Sequence, residues 1–145
     1  MPVDDLFTRE SYTSDELLFI IESIPANVFF KDTSCRYRLA SHVCKMLNGD
    51  SDTATIIGKT DLEVQVEEQL GRQYYEEDLD LIAHGGEKKY ISEMHFGDST
   101  YYYEINKRAM LDASGSIIGI VGMVSDVTEL IQLQKELERM STRDI

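Results

Sequence analysis

The sequence predicts an α+β fold in which a five-stranded antiparallel sheet carries helices on one face. Two short strands come first, and a run of helical segments follows them as far as His84. From Lys88 onwards the apolar residues recur with a period of two, which is typical of strands. An N-terminal helix and a C-terminal helix with coiled-coil spacing flank this core.

Length and composition indicate one compact domain of 145 residues, of which 42% are apolar and 28% charged. The net charge is −13, and an acidic surface repels phosphate backbones and anionic lipid. We therefore expect no nucleic-acid partner and no direct membrane contact. The acidic N-terminus does not resemble a signal peptide, and no apolar run reaches the roughly 18 residues of a membrane span, so we expect a cytoplasmic location.

The first helix is predicted over about residues 14–24. Thr13 and Glu16 have the spacing of a capping box, and Pro25 ends the helix. Apolar side chains recur on one face of this helix: Leu17, Ile20, Ile21 and Ile24.

The next two elements are short strands at residues 28–31 and 37–40, which form a hairpin around a polar turn. A short helix at residues 41–47 follows, and Asp61 caps a further helical turn. A longer helix is predicted over about residues 67–84, and a glycine pair stops it.

The last strands form a three-stranded antiparallel meander of residues 88–96, 100–111 and 116–125, because turns rich in Gly and Asp separate them. The final helix begins near Asp126 and Glu129, whose spacing resembles a capping box. Its apolar residues have the heptad spacing of a coiled coil: Leu130, Leu133, Leu137 and Met140.

Four short motifs occur in a specific order along the chain. They are Phe30-Lys31-Asp32, Gly58-Lys59-Thr60-Asp61, Asp112-Ala113-Ser114-Gly115 and Asp126-Val127-Thr128-Glu129. Together with the order of elements they resemble the PAS domain family over about residues 17–130. The resemblance implies a PAS fold and a sensory role, with the last motif joining the core to an output helix.

A further motif, Ser141-Thr142-Arg143-Asp144, resembles the entrance to a GGDEF diguanylate cyclase domain. These resemblances divide the chain into an N-terminal tail at 1–13, a helix at 14–25, a PAS core at 26–126 and a linker helix at 127–145. The residues present carry no catalytic motif, so the expected cyclase activity belongs to a longer parent protein. The sensor module of a histidine kinase or chemoreceptor is the alternative.

The PAS resemblance implies that Glu93, Tyr103, Ile105 and Lys107 face the concave side of the sheet, which holds the ligand. His95 shares a strand face with Glu93, so it joins the predicted site. Polar groups that converge in an apolar pocket suit a carboxylate or another polar metabolite. The alternative is a cross-strand ion pair between Glu93 and Lys107 in a packed core that serves only dimerisation.

We expect no haem, flavin or metal. Haem-binding PAS domains carry a histidine within the long helix, whereas His84 lies at its end. Light-sensing flavin members carry Asn-Cys-Arg-Phe on a middle helix, but here Ser34-Cys35-Arg36-Tyr37 falls in the first hairpin turn, and Val124 stands where those members present a glutamine. Cys35 and Cys44 lack the spacing of metal ligands.

The predicted signal route passes through Asp126, Thr128 and Glu129. A carboxylate that caps the output helix at the edge of the sheet couples a shift of the last strand to that helix. Two such helices are expected to pair in a homodimer. The expected dimer contacts are Leu17, Ile20, Ile24, Leu130, Leu133 and Leu137.

Overall fold

The computed structural model describes residues 11–41, 56–65 and 67–143. Helix α1 spans Ser14–Glu22, strands β1 and β2 span Asn27–Lys31 and Tyr37–Ala40, and helices α2 and α3 span Asp61–Val64 and Glu68–His84. Strands β3, β4 and β5 span Glu87–Phe96, Ser99–Leu111 and Ile117–Asp126, and helix α4 spans Thr128–Arg143. Apart from Ser41, the helix predicted at 41–47 lies outside the described residues, as do Cys44 and Asp144.

The five strands form one antiparallel sheet in the order β2-β1-β5-β4-β3. Strand β5 joins the N-terminal hairpin to the meander, because it pairs with β1 on one side and β4 on the other. Helices α2 and α3 cover one side of the sheet, named the inner face here, and the opposite side is the outer face. The predicted α+β architecture, with its flanking N-terminal and C-terminal helices, is confirmed.

Helix α3 presents one buried stripe to the inner face. The stripe consists of Gly71, Tyr74, Asp78 and Leu81, whose spacing of three or four residues places them on one side of a helix. A Cβ atom at Gly71 would lie 2.7 Å from the Asp61 carbonyl oxygen, so glycine allows α3 to approach α2 closely. The stripe is otherwise uncharged, and Asp78 places a carboxylate in the middle of the core.

Helices α1 and α4 both leave apolar side chains exposed. Helix α1 begins at the predicted capping box, in which Glu16 N donates to Thr13 Oγ1 and Thr13 N donates to Glu16 Oε1. Ile24, just beyond α1, is half-buried. No helix of the described residues is long and apolar enough to cross a membrane. The exposed apolar residues are Leu17, Leu18, Phe19 and Ile20 in α1 and Leu130, Leu133, Leu137 and Met140 in α4.

Candidate functional site

The structure divides the five predicted ligand residues between the two faces of the sheet. Tyr103, Ile105 and Lys107 are buried on the inner face. Glu93 and His95 lie on the outer face, where their side chains are 52% and 58% exposed. The prediction that all five converge is therefore wrong for Glu93 and His95.

The physical reason is the register of β3 against β4. Residues directly opposite each other in an antiparallel pair point to the same face. Ser92 pairs with Tyr103, whereas Glu93 pairs with Tyr102. Glu93 and Lys107 therefore lie on opposite faces, and the alternative of an ion pair between them is also wrong.

Four buried charged side chains from four different elements meet on the inner face. Lys31 Nζ lies 2.5 Å from both Asp61 Oδ2 and Asp78 Oδ2. Lys107 Nζ lies 2.8 Å from Asp78 Oδ1. None of the four is more than 2% exposed, and their two positive and two negative charges cancel. We name Lys31, Asp61, Asp78 and Lys107 the ion cluster.

Each member of the ion cluster belongs to a different element, and its side chain is buried in the core. Lys31 ends β1, and Lys107 lies on the inner face of β4. Asp61 begins α2, and Asp78 belongs to the buried stripe of α3. The cluster therefore assembles only when both halves of the sheet and both helices are in place.

The charges of the ion cluster shift the pKa values of Lys31 and Asp61. Burial alone would lower the pKa of Lys31, but the Asp61 and Asp78 carboxylates outweigh burial and raise it above its ordinary value. Burial would raise the pKa of Asp61, but Lys31 holds it below its ordinary value, and hydrogen bonds from Gln65 and Tyr37 act in the same direction. Lys31 and Asp61 are therefore both ionised at neutral pH.

Aromatic rings and neutral polar groups complete the surroundings of Lys31 and Asp61. Tyr37 Oη donates a hydrogen bond to Asp61 Oδ1 at 2.8 Å, and Gln65 Nε2 donates to the same atom at 3.0 Å. The Lys31 ammonium lies 4.5 Å from the centre of the Tyr37 ring and 5.1 Å from that of Phe29. Two carboxylates and two rings thus surround the Lys31 ammonium.

Lys107 has a looser set of partners than Lys31. Besides its bond to Asp78, Lys107 Nζ lies 3.4 Å from the Tyr74 carbonyl oxygen and 3.4 Å from Glu77 Oε2. The Glu77 side chain is 17% exposed, and its Oε2 has no hydrogen-bond partner among the described residues. Among the described residues, Asp78 alone makes a short contact with Lys107 Nζ, so this ammonium keeps capacity to donate to a further group.

A cavity of about 30 Å³ lies against the ion cluster. This volume holds about one or two water molecules. Two of the predicted ligand residues, Ile105 and Lys107, line the cavity, whereas Tyr103 packs beside it in the adjoining core. Its apolar wall consists of Phe29, Met94, Ile105 and Val124, and its polar wall consists of Lys31, Tyr37, Asp61, Gln65, Tyr74 and Lys107.

The cavity is lined by charged, hydroxyl, amide and apolar side chains. Cys35 does not line it, and burial raises the pKa of the Cys35 thiol to about 11, which keeps this side chain protonated. In the ranges that the structure describes, no group of three or more His, Cys, Asp or Glu could hold a metal ion. Hydrogen bonding and charge matching are the chemistry that this site offers a guest.

Sequence reasoning missed Lys31, Asp61 and Asp78 as site residues. Lys31 and Asp61 both stand in motifs that carry the family resemblance. Asp78 interrupts the helical spacing of Tyr74 and Leu81, and a charged residue at such a position signals a paired charge in the core.

The start of α4 is hydrogen-bonded to the N-terminal end of β4. Thr128 N donates a hydrogen bond to Asp126 Oδ1 at 2.9 Å, and Val127 N donates to the Tyr102 carbonyl oxygen at 2.8 Å. Tyr102 N donates to Thr128 Oγ1 at 2.9 Å. Glu129 is exposed on the first turn of the helix. Main-chain atoms of Tyr102 in β4 and the side chain of Asp126 in β5 thus fix where α4 begins.

Comparison with known proteins places these features in a wider group. A family model described as "PAS fold" matches residues 21–132. A diguanylate cyclase of Vibrio cholerae is 22% identical over 98% of this chain and 44% of its own length. The chain thus spans less than half of that curated relative.

Several solved structures share the fold of this chain. The dimer of Vibrio cholerae VqmA without its target DNA has a TM-score of 0.68 at 20% identity, covering 82% of this chain and 53% of that one. A VqmA–ligand–DNA complex has a TM-score of 0.68 at 20% identity, covering 81% and 53%. The PAS domain of Bordetella pertussis BvgS has a TM-score of 0.67 at 20% identity, covering 89% and 96%.

These neighbours contradict the expectation that nucleic acid is no partner. That expectation rests on the net charge of −13, yet a protein with the same fold is solved in complex with DNA. The charge of a single domain describes only its own surface. It does not exclude DNA as a partner of a protein in which such a domain stands.

Proposed function

The chain belongs to the PAS fold family and is a sensory module, and on that premise we propose that it binds a small molecule in its core and controls an output domain. The PAS domain itself is not catalytic. The finer parts of this proposal are the ligand site, the route from that site to α4 and the nature of the output.

The observation that carries the proposal is the cavity beside the ion cluster. Burying four charges costs free energy, and well-packed apolar residues of similar volume are often as stabilising as a buried ion pair. Stability alone therefore gives no reason for a cluster here. Buried charges with shifted pKa values that face an apolar cavity are typical of binding sites.

The small size of the cavity supports a sensory role. A guest larger than about two waters has to displace side chains, and Met94 is the most adaptable residue of the wall because its thioether chain is flexible. Binding that requires such a rearrangement favours one conformation over another. A ligand that acts on a two-state element needs this difference in affinity.

We propose that the signal travels from the cavity to α4 along β4 and β5. Ile105 and Lys107 line the cavity, and Tyr103 lies two residues closer to the end of β4 that contacts α4. Tyr103 also pairs with Asp126 of β5. A shift of β4 therefore moves the groups that bond Thr128, so Asp126, Thr128 and Glu129 keep their proposed roles in transmission.

We also propose a homodimer formed by the exposed apolar residues of α1 and α4. The heptad spacing of Leu130, Leu133 and Leu137 and their exposure support the pairing of two α4 helices. Leu17 and Ile20 of α1 would extend the contact, with the half-buried Ile24 at its end.

The proposed output is a diguanylate cyclase that follows residues 127–145. The Vibrio cholerae relative and the motif over residues 141–144 both support this choice. In this arrangement residues 26–126 are the sensor core, and the spacing of two α4 helices sets how two output domains face each other.

The ligand proposal is tested by native mass spectrometry of the purified chain, followed by denaturation and identification of any released small molecule. We expect the wild type to carry a guest and Lys107→Met to lose it, because this change removes the cavity's available donor. Lys89→Met is the matched control, since Lys89 lies on the outer face and is 63% exposed.

A second variant covers the case in which Lys107→Met does not fold. Val124→Leu keeps every charge but adds volume to the cavity wall, and it should also lose the guest. A wild type that carries no guest, and shows no thermal shift with fractions of a cell extract, would contradict ligand binding and favour a module that serves only dimerisation.

A further inference from the structure

We propose that the guest of this cavity is an uncharged molecule with a hydrogen-bond acceptor for Lys107 Nζ and an apolar body, and that carboxylates are excluded. This inference rests on the proposed ligand site. It narrows the expectation of a carboxylate or another polar metabolite to the uncharged class.

The charge balance of the core is the first argument. The ion cluster contains two lysines and two aspartates, none more than 2% exposed, so its formal charge is zero. Glu77 adds a negative charge at the edge, 3.4 Å from Lys107, so the surroundings of the cavity have no surplus of positive charge. A neutral guest preserves this balance, whereas a carboxylate adds a buried negative charge with no new cation to pair with it.

The positions of the existing carboxylates are the second argument. Any acceptor that reaches Lys107 Nζ lies close to Asp78 Oδ1, which is 2.8 Å from the same ammonium. Like charges at such separations repel strongly in a medium of low dielectric. A carboxylate guest would therefore lie close to the Asp78 carboxylate, and both would share the Lys107 ammonium.

The unequal partnering of the two lysines determines which one meets the guest. Lys31 already contacts two carboxylates and two aromatic rings. Lys107 has one short contact and two contacts of 3.4 Å. A carbonyl, ring-nitrogen or hydroxyl acceptor can therefore replace a weak contact of Lys107 without breaking a strong one.

The apolar residues that line the cavity define the rest of the guest. They are Phe29, Met94, Ile105 and Val124, and they line the same cavity as Lys107. A guest with its acceptor on Lys107 has its remaining atoms against these side chains. A small ring with one or two polar substituents fits this pattern, because its body replaces the lost contacts among the wall residues.

The experiment uses matched pairs of small probes that differ in charge: benzamide against benzoate, and nicotinamide against nicotinate. Saturation-transfer NMR at neutral pH measures binding of each probe to the full chain. We expect the amides to bind at least about tenfold more tightly than the carboxylates, a difference of about 1.4 kcal/mol. Lys107→Met should abolish amide binding, and Lys89→Met should retain it.

A charge variant tests the balance argument directly. Glu77→Gln removes the partly exposed carboxylate beside Lys107 while leaving the four members of the ion cluster unchanged. The difference in affinity between amide and carboxylate should become smaller in this variant. Glu76→Gln, an exposed change at the neighbouring position of α3, should leave the difference as it is in the wild type.

Each outcome separates the inference from the proposed function. Carboxylates that bind as tightly as the amides, or more tightly, would overturn the inference while leaving the cavity as a ligand site. Amide binding that is unchanged in a folded Lys107→Met variant would overturn the assigned acceptor contact. If no probe of either class binds, the inference is wrong for molecules of this size, and the mass-spectrometric test decides on the site itself.

Discussion

The polar side chains on the two faces of strand β4 differ in how far they are exposed to solvent. On the inner face, Lys107 belongs to a cluster whose four members are all at most 2% exposed. On the outer face, the ammonium of Lys135 in α4 lies 2.7 Å from Tyr102 Oη and 4.7 Å from the centre of its ring. Neighbouring Glu93 and His95 are more than half exposed. Water weakens the outer contacts, whereas the inner contacts act in a medium of lower dielectric.

The two faces therefore differ in how much free energy it costs to break their polar contacts. An unpaired charge on the inner face is costly, so an arrangement of the core that breaks the ion cluster is disfavoured. Contacts on the outer face can break and form again at little cost, which would suit the movement proposed for α4. Adjacent residues of β4 point to opposite faces, so Tyr103 lies on the inner face and Tyr102 on the outer face of the same strand.

The largest effect should come from Asp78→Ala, which tests how much the inner face depends on complete pairing. Within the described part of the chain, this change leaves Lys31 with one carboxylate partner, Asp61, and removes the one short contact of Lys107. Breaking a buried ion pair by deleting one partner typically costs about 3–5 kcal/mol, and we expect a loss of that size in the free energy of unfolding. Urea denaturation measures it.

Glu76→Ala is the control for Asp78→Ala, because it removes a carboxylate from an exposed position of the same helix. Its effect should stay within about 0.5 kcal/mol. Equal effects of the two changes would show that the inner and outer environments do not differ in the way described above.

Gly122→Ala should have the next largest effect, because it tests how tightly the inner face is packed. Gly122 lies opposite Phe29 across β1 and β5, and a Cβ atom at this position would overlap the Phe29 ring. Overpacking of this kind typically costs about 1–3 kcal/mol. Adding Phe29→Leu should restore part of the loss in urea denaturation, and a double variant less stable than both single variants would contradict this explanation.

Acid pH tests the charge balance of the inner face without changing its shape. Burial opposes ionisation of Asp61, but Lys31 outweighs burial and lowers the pKa of Asp61 in the folded state. The stabilisation is therefore present above the unfolded value of about 3.9 and is lost as the pH falls through the folded value. We expect a smaller effect than that of Asp78→Ala, because protonation leaves the Asp61 side chain in place, whereas Asp78→Ala deletes a partner of both lysines.

Urea denaturation between about pH 7 and pH 2 measures this loss. Asp61→Asn should flatten the acid part of the stability curve, because this position then has no proton to gain. Glu76→Gln should leave the acid part unchanged. An acid slope that is the same in Asp61→Asn and in the wild type would show that other carboxyl groups account for it.

The contrast between the faces also explains what the sequence could predict. The order of strands and helices follows from patterns within single elements, such as the capping box at Thr13 and the stripe of α3 that contains Tyr74 and Leu81. The inner face of β4 was predicted at Tyr103 and Lys107, through the family resemblance. The face of Glu93 was not predicted correctly. Alternation with a period of two does not show which residues of β3 share a face with Tyr103 until the register of the two strands is known.

The ion cluster could not be predicted from the pattern of any single segment, for a related reason. Lys31 and Asp78 are 47 residues apart, and each resembles an ordinary charged surface residue in its own segment. Only the packing of α3 against the sheet brings them within contact distance. Charged residues that occupy apolar positions of an amphipathic element are the local signal that such packing exists.

The smallest effect on stability should come from Lys135→Met, which tests the outer face. Lys135 is exposed, and its ammonium donates a hydrogen bond to Tyr102 Oη. The start of α4 is held separately, by the main-chain hydrogen bond from Val127 N to the Tyr102 carbonyl oxygen. We expect an unchanged melting temperature but faster hydrogen exchange in the second turn of α4. Arg139→Met removes a positive charge whose ion pair among the described residues is with Glu136 of the same helix, so it should not accelerate exchange in the second turn. A large fall in melting temperature for Lys135→Met would mean that the outer face carries stability as the inner face does, and α4 would then be a fixed part of the domain rather than a helix free to report on it.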